Sequence, residues 1–180
     1  MDWKLLSSRI VFDKFMQIEE RSYKLPDGQT KNFYIKKNQP AVCVLALTKT
    51  HDVITVKQFR PGPQTILHEL PGGYMEAGET PSKAAARELL EETGYAGKLK
   101  FITECFDDAY TTMNRSCFVA TDCEPVGEQQ LDSGEFIDVE LLSLTAFLEI
   151  VRSGQMTDVE VAFLGLDYLG LLGNPGSVKS

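Results

Sequence analysis

The densest chemistry in this chain is a run of carboxylates that follows a glycine turn. Glu79, Arg87, Glu88, Glu91 and Glu92 stand behind Pro71-Gly72-Gly73 and ahead of Gly94-Tyr95. In a helix that advances about 100° per residue, Glu88 and Glu92 lie about 40° apart, one turn from each other, with Glu91 on the neighbouring edge. Ala84, Ala85, Leu89 and Leu90 supply the apolar side. Like charges one turn apart cost a few tenths of a kcal/mol in an isolated helix. A hard divalent cation reverses that sign. Clustered carboxylate oxygens are what Mg²⁺ or Mn²⁺ take, with phosphate oxygens completing the shell. A solvated glutamate-rich surface is the plainer reading of the same helix. Arg87 is within reach of Glu91 at i, i+4, or of Glu79 from the preceding loop.

Such a cluster needs a scaffold that holds a glycine turn against a helix. Thr80-Pro81 is a helix start, because threonine caps and proline at the first turn has no amide to leave unpaired. The spacing predicts a helix over 81–93, stopped by Gly94. Upstream, residues 41–47 and 53–59 read as strands, and 66–70 as a short strand running into the glycines. Downstream, 98–105 and 116–121 are strand-like around a polar loop. An acidic loop over 122–134 leads to a strand over 136–144. A helix over 144–152 ends at Gly154. Thr157-Asp158-Val159-Glu160 has the form of a capping box that opens a last helix to about Leu171. The tail from Gly173 to Ser180 is expected to fray. Strands flanked by a few helices in this order predict a mixed α/β sandwich.

Residues 1–38 differ from the rest. They are more polar, alternate over 10–18, resume at 22–25, turn at Pro26-Asp27-Gly28 and continue over 30–35. This predicts a small antiparallel sheet that must pack on the main domain or on a second subunit. Asn38-Gln39-Pro40 marks the boundary, giving domains of 1–38 and 39–180.

The 180 residues suffice for one domain with a core of its own. A net charge of −8 gives no counterion-release affinity for nucleic acid, while small phosphorylated ligands stay compatible. No apolar run has the length of a membrane span. The N-terminus lacks the basic start and apolar core of a signal peptide, so a cytoplasmic location is expected. Cys43, Cys105, Cys117 and Cys123 have no C-x-x-C spacing and are expected as reduced thiols.

With its nine fixed positions (Gly73, Glu79, Arg87, Glu88, Leu89, Glu91, Glu92, Gly94, Tyr95), the stretch resembles the Nudix box, without a departure. The resemblance implies a metal-dependent hydrolase that splits a nucleoside diphosphate linked to another moiety. The implied fold is an α/β/α sandwich with a mixed sheet, here with the small N-terminal antiparallel sheet added. It implies Glu88 and Glu92 as ligands of Mg²⁺ (or Mn²⁺), Glu91 as a supporting or alternate ligand, and the Gly72 carbonyl as a further one. Glu79 and Arg87 match the pair that ties loop to helix. Gly73 lets the backbone turn close to the metal.

Val56-Lys57-Gln58-Phe59-Arg60-Pro61 and His68-Glu69-Leu70-Pro71-Gly72-Gly73 resemble the upstream elements of ADP-ribose pyrophosphatases and related nucleotide-sugar hydrolases. That resemblance implies that Arg60 contacts phosphate and that Glu69 binds metal or substrate. It implies a swapped homodimer through the N-terminal sheet, with Phe15 and Phe33 as candidates to sandwich an adenine. Asp108-Ala109-Tyr110 replaces the subgroup's Pro-Gly pair, which makes Tyr110 a candidate to stack on the ligand. In the acidic loop Glu135 is the first candidate for catalytic base or extra metal ligand, and Asp132 the next; Ser133 stands where the subgroup often carries a glutamate. The expected reaction gives a nucleoside monophosphate and a sugar phosphate from ADP-ribose or a similar nucleoside diphosphate-sugar. GDP-mannose, a dinucleotide, a modified nucleoside triphosphate, or a non-catalytic ligand sensor are the alternatives.

Overall fold

A computed structural model of the chain describes residues 1–172; the tail from Gly173 on, expected to fray, lies outside the described residues. Three antiparallel strands open the chain: β1 (Lys4–Asp13), β2 (Gln17–Lys24) and β3 (Thr30–Lys37), in that order across the sheet. The alternation over 10–18 predicted one strand, and this is corrected: the chain reverses at residues 14–16. The Lys14 amide donates to the Met16 carbonyl at 3.2 Å, and Gln17 Nε2 donates to Asp13 Oδ1 at 2.9 Å. The apolar alternation runs on through the turn, so no glycine or proline betrays it. β1 is exposed along its length and leaves Leu5, Ile10 and Phe12 in water.

The chain forms two compact units. The first is Met1–Pro40 together with Cys105–Arg115. Within it the Lys36 amide donates to the Tyr110 carbonyl at 2.8 Å, and the Thr112 amide to the Lys36 carbonyl at 2.9 Å. Lys36 also pairs with Asp108 at 2.5 Å.

The second unit is built on β4 (Ala41–Thr48), buried from Ala41 to Leu47 as a strand covered on both faces must be. Around it lie β5 (Val53–Arg60), β6 (Thr65–Glu69), β7 (Gly72–Tyr74), β8 (Tyr95–Phe106), β9 (Asn114–Pro125) and β10 (Asp138–Leu142). The sheet order is β10-β5-β4-β9-β8, with β6 paired to β5 and β7 to β4. Helix α1 (Pro81–Thr93) packs through Ala84, Ala85 and Leu89 on Val42, Val44, Ala46 and Phe118. α2 is Leu144–Ser153, and α3 is Val159–Tyr168. Gly165 of α3 lies against Leu45 and Val119, which alternate with the residues facing α1, so the two helices cover opposite faces. The fold is thus mixed α/β, with a small antiparallel sheet and a larger mixed one. Among the described residues no helix is long and apolar enough to cross a membrane.

Two helix starts differ from expectation. Thr80 holds the N-cap position of α1 but makes no side-chain cap; its carbonyl receives the Ala84 amide at 3.0 Å instead. The last helix starts one residue later than a capping box at Thr157 predicts. The N-cap is Asp158, and the Thr157 hydroxyl lies 3.0 Å from Asp158 Oδ2 because that carboxylate is drawn elsewhere. The C-terminal stop at Gly94 has φ 74°, and its amide donates to the Leu90 carbonyl at 2.7 Å. Cys43, Cys117 and Cys123 are buried and outside any disulfide, as is the half-buried Cys105.

Candidate active site

The glycine turn and α1 meet through their polar atoms. β7 pairs antiparallel with β4, Cys43 opposite Gly72 and Val42 opposite Gly73. This brings the turn under the apolar-faced helix that packs on the same strand. A side chain at Gly72 would strike the Val42 carbonyl oxygen. A Cβ at Gly73 would sit 2.5 Å from Glu88 Oε1. The missing side chain at Gly73 therefore makes the room that the Glu88 carboxylate fills.

Glu92 is buried and accepts the Gly72 amide at 2.9 Å. Burial pushes its carboxyl up to about 8, offset in part by that amide and reinforced by Glu88, Glu135 and Glu69. Burial likewise raises Glu88, with Arg87 opposing and Glu91 and Glu135 adding to the shift. Carboxylates on α1, on β6 and in the loop after β9 thus act on one another, and their summed negative field is what a cation would relieve.

Arg87 is the local counter-charge. Its guanidinium contacts Glu79 at 3.0 and 3.1 Å, Glu88 at 2.9 Å, Glu91 at 3.0 Å and the Tyr74 carbonyl at 3.1 Å. Glu79 is the first cause of the guanidinium's raised affinity for its proton. In turn Arg87 holds the Glu79 carboxyl below the ordinary carboxylate range. Glu79 also receives the Glu76 amide at 3.0 Å, so one ion pair fastens the loop to the helix. Replacing Arg87 by Met removes the cation shared by three carboxylates. It is expected to cost about 2 kcal/mol, or roughly 4–8 °C in Tm for a chain of this size. Thermal unfolding in EDTA measures this, and an unchanged Tm would dismiss the network as decoration.

Arg60 lies on β5 and Glu69 on β6, in antiparallel register. Arg60 Nε donates to Glu69 Oε1 at 2.5 Å, its Nη2 donates to Oε2, and Gln58 donates to Oε2 at 3.3 Å. Glu69 is buried, whereas the Arg60 side chain is 43% exposed and keeps donors free of Glu69. Glu135 sits in a tight turn and accepts the Asp132 amide at 2.9 Å. Gln129 ties this loop to α1, donating to the Glu92 carbonyl at 2.6 Å and to the Ile137 carbonyl at 3.1 Å.

The remaining candidates belong to the first unit. Phe15 is 93% exposed in the β1–β2 turn. Phe33 packs with Trp3 and Tyr23, ring centroids 5.8 and 5.9 Å away. Phe33 pairs with Arg21, whereas Phe15 lies beyond the Gln17↔Lys37 end of the sheet, so one chain does not bring the two rings together. Tyr110 is exposed next to Asp108, which accepts its amide at 2.5 Å.

Two polar groups went unnoticed in the sequence. Gln58 reads there as a strand residue and Asp158 as part of a cap, because neither partner lies near in the chain.

Among the described residues no three Asp, Glu, His or Cys side chains form a ready cage for a metal ion. The donor set nevertheless fits the way Mg²⁺ is commonly held, by one or two carboxylates with phosphate oxygens and waters supplying the rest. Glu88 and Glu92, two carboxylates raised by burial beside a glycine backbone, answer that description.

A family profile described as NUDIX domain matches residues 37–158. The ADP-ribose pyrophosphatase of Bacillus subtilis (strain 168) is 33% identical over 175 residues, covering 95% of this chain and 94% of its own. The methanol dehydrogenase activator of Bacillus methanolicus is 28% identical over 171 residues, covering 92% and 90%. The crystal structure of ADP compounds hydrolase superposes with a TM-score of 0.78 at 17% identity, covering 96% of this chain and 98% of that one.

Proposed function

The chain belongs to the Nudix hydrolase family, and on that premise we propose that it hydrolyses the pyrophosphate bond of ADP-ribose or a similar nucleoside diphosphate-sugar, with Mg²⁺ or Mn²⁺ as cofactor. The products are a nucleoside monophosphate and a sugar phosphate. The observation that carries this reading is the pair Glu88 and Glu92, half-buried and buried respectively, mutually repelling and set against Gly72-Gly73. Similarity over nearly the full length to an ADP-ribose pyrophosphatase supports the substrate class.

Glu88, Glu92 and the Gly72 carbonyl would hold the cation, with Glu91 as a supporting ligand once Arg87 releases it. When bound, the cation neutralises the phosphate oxygens and acidifies a water. Arg60 offers its outward donors to a phosphate, and Glu69 keeps the guanidinium aimed by a two-point contact. Glu135, whose charge already reaches Glu88 and Glu92, takes the proton from the attacking water. Glu79 and Arg87 keep the loop on the helix.

The small sheet serves as a dimerisation and base-binding element. Exposed Leu5, Ile10 and Phe12 on an edge strand favour pairing with a second copy. Because Phe15 and Phe33 stand apart in one chain, a base sandwich takes one ring from each chain of a homodimer. Tyr110 is a further stacking candidate. A cytoplasmic location completes the reading.

A panel of ADP-ribose, GDP-mannose, a dinucleotide and a modified nucleoside triphosphate, each with Mg²⁺ and with Mn²⁺, tests the proposal. Release of a nucleoside monophosphate from ADP-ribose is the expected result. Turnover of triphosphates alone would overturn the substrate class, and no metal-dependent hydrolysis of any member would leave a ligand sensor.

A further inference from the structure

The turn that offers the Gly72 carbonyl is gripped from three sides. On one, Glu92 of α1 accepts the Gly72 amide at 2.9 Å. On a second, the Pro71 carbonyl accepts the Val44 amide of β4 at 2.9 Å. These two bonds fix both ends of the Pro71–Gly72 peptide plane. On the third, the Leu70 amide, one residue before a proline that has no amide, donates to Asp158 Oδ2 at 3.2 Å. Asp158 lies far along the chain, at the start of α3, and is 8% exposed.

Asp158 is an unusual residue to find so buried. It stands at the N-cap of α3, yet its side chain caps no helix amide. Its carboxylate is turned to Leu70 and to the Thr157 hydroxyl at 3.0 Å. The adjoining segment follows the same path, since Met156 bridges to His68 of β6. Burying a carboxylate costs free energy unless positive charge and donors answer it. The N-terminal end of α3 and the Arg60 guanidinium, which feels the charge of Asp158, supply that answer. A helix-capping role alone would be met by turning the side chain to its own helix. The chosen geometry instead joins the last helix to the turn under α1.

We propose that Asp158 is a positioning residue for the metal site: by holding the Leu70 amide it sets the path of Leu70-Pro71-Gly72, and so the place of the Gly72 carbonyl relative to Glu88 and Glu92. It touches neither substrate nor cation and acts through the backbone. Groups that orient a metal's ligands typically change affinity or activity by about 10- to 100-fold when removed. The inference rests on the metal reading given above.

The test uses Mn²⁺ binding to the full chain, followed by electron paramagnetic resonance, together with hydrogen exchange at Leu70. Asp158→Ser gives α3 a good capping hydroxyl but is too short to reach Leu70, so it separates capping from positioning. Asp158→Asn keeps an acceptor oxygen in place. The expected result is that Asp158→Ser unfolds within a few degrees of the parent, exchanges the Leu70 amide faster and binds Mn²⁺ at least about 10-fold more weakly. Asp158→Asn is expected to recover most of the affinity. Mn²⁺ binding by Asp158→Ser within twofold of the parent would overturn this inference alone. Failure of the parent chain to bind Mn²⁺ would overturn the metal reading and this inference with it.

Discussion

Glu92→Gln is expected to lower turnover by on the order of 10³-fold, about 4 kcal/mol of transition-state stabilisation, while the chain stays folded. The amide keeps the size of the side chain and an oxygen for the Gly72 amide, but it removes the charge that would hold a cation. The same substitution is expected to change stability in a direction set by pH. In the metal-free protein burial raises the Glu92 carboxyl to about 8, well above its unfolded value. The folded state therefore carries an extra proton between about pH 4.5 and 8, and the associated stability is full below that window and lost as pH rises through it. In EDTA the parent should lose several degrees of Tm between pH 5 and pH 8, and Glu92→Gln should flatten that slope. Added Mg²⁺ should restore the parent at pH 8 and leave the variant unmoved. Full activity in Glu92→Gln, or an unaltered pH slope, would remove Glu92 from the site.

Gly72→Ala is the second large effect, and it comes from sterics rather than charge. A Cβ there would overlap the Val42 carbonyl oxygen and lie 2.9 Å from Cys43 Cα. Both are backbone atoms of a fully buried strand and cannot turn aside. The turn must lift off β4, which breaks the Gly72–Glu92 and Pro71–Val44 bonds together. A loss of about 3 kcal/mol or more is expected, with Tm down by roughly 6–12 °C and activity lost beyond what unfolding explains. Gly62→Ala is the control. Its Cβ would meet nothing within 4 Å, and its φ needs no glycine. It should fall within about 0.5 kcal/mol of the parent, on the stable side if anywhere. Equal stability of the two variants would mean that β7 does not pair with β4 in this register.

Much of this site is written in local pattern, and the remainder in contacts that local pattern does not carry. The period of Ala84, Ala85 and Leu89 marks the buried face of α1, and by the same count Glu88 and Glu92 fall between Ala84 and Leu89, which is why Glu92 is buried with them. The strands 41–47 and 53–59 are plain because continuous apolar runs of that length are buried strands in such sheets. Three features were invisible. The reversal at 14–16 has no turn residue of the usual kind. The pairing of Gly72-Gly73 as a strand on β4 depends on atoms some thirty residues away. Asp158 is the clearest case: its sequence neighbours spell a helix cap, while its partner is 88 residues away. Local chemistry admits both uses of that carboxylate, and only the packing of α3 decides between them.

The first unit is assembled from pieces far apart in the chain, and this bears on how the protein is made. Asn38 and Thr112, 74 residues apart, exchange two hydrogen bonds at 3.0 Å, and Lys36 holds both Tyr110 and Thr112. Hairpins such as those of β1, β2 and β3 close in about 1–10 μs. A ribosome adding about 5–20 residues per second needs several seconds more to deliver residues 105–115. For that interval the nascent sheet stands without its closing segment, and the backbone groups of Lys36 and Asn38 that Tyr110 and Thr112 will pair are left open to every neighbouring chain on the polysome. Synthesis speed and chaperone occupancy, rather than equilibrium stability, should therefore govern the yield of folded protein at high expression.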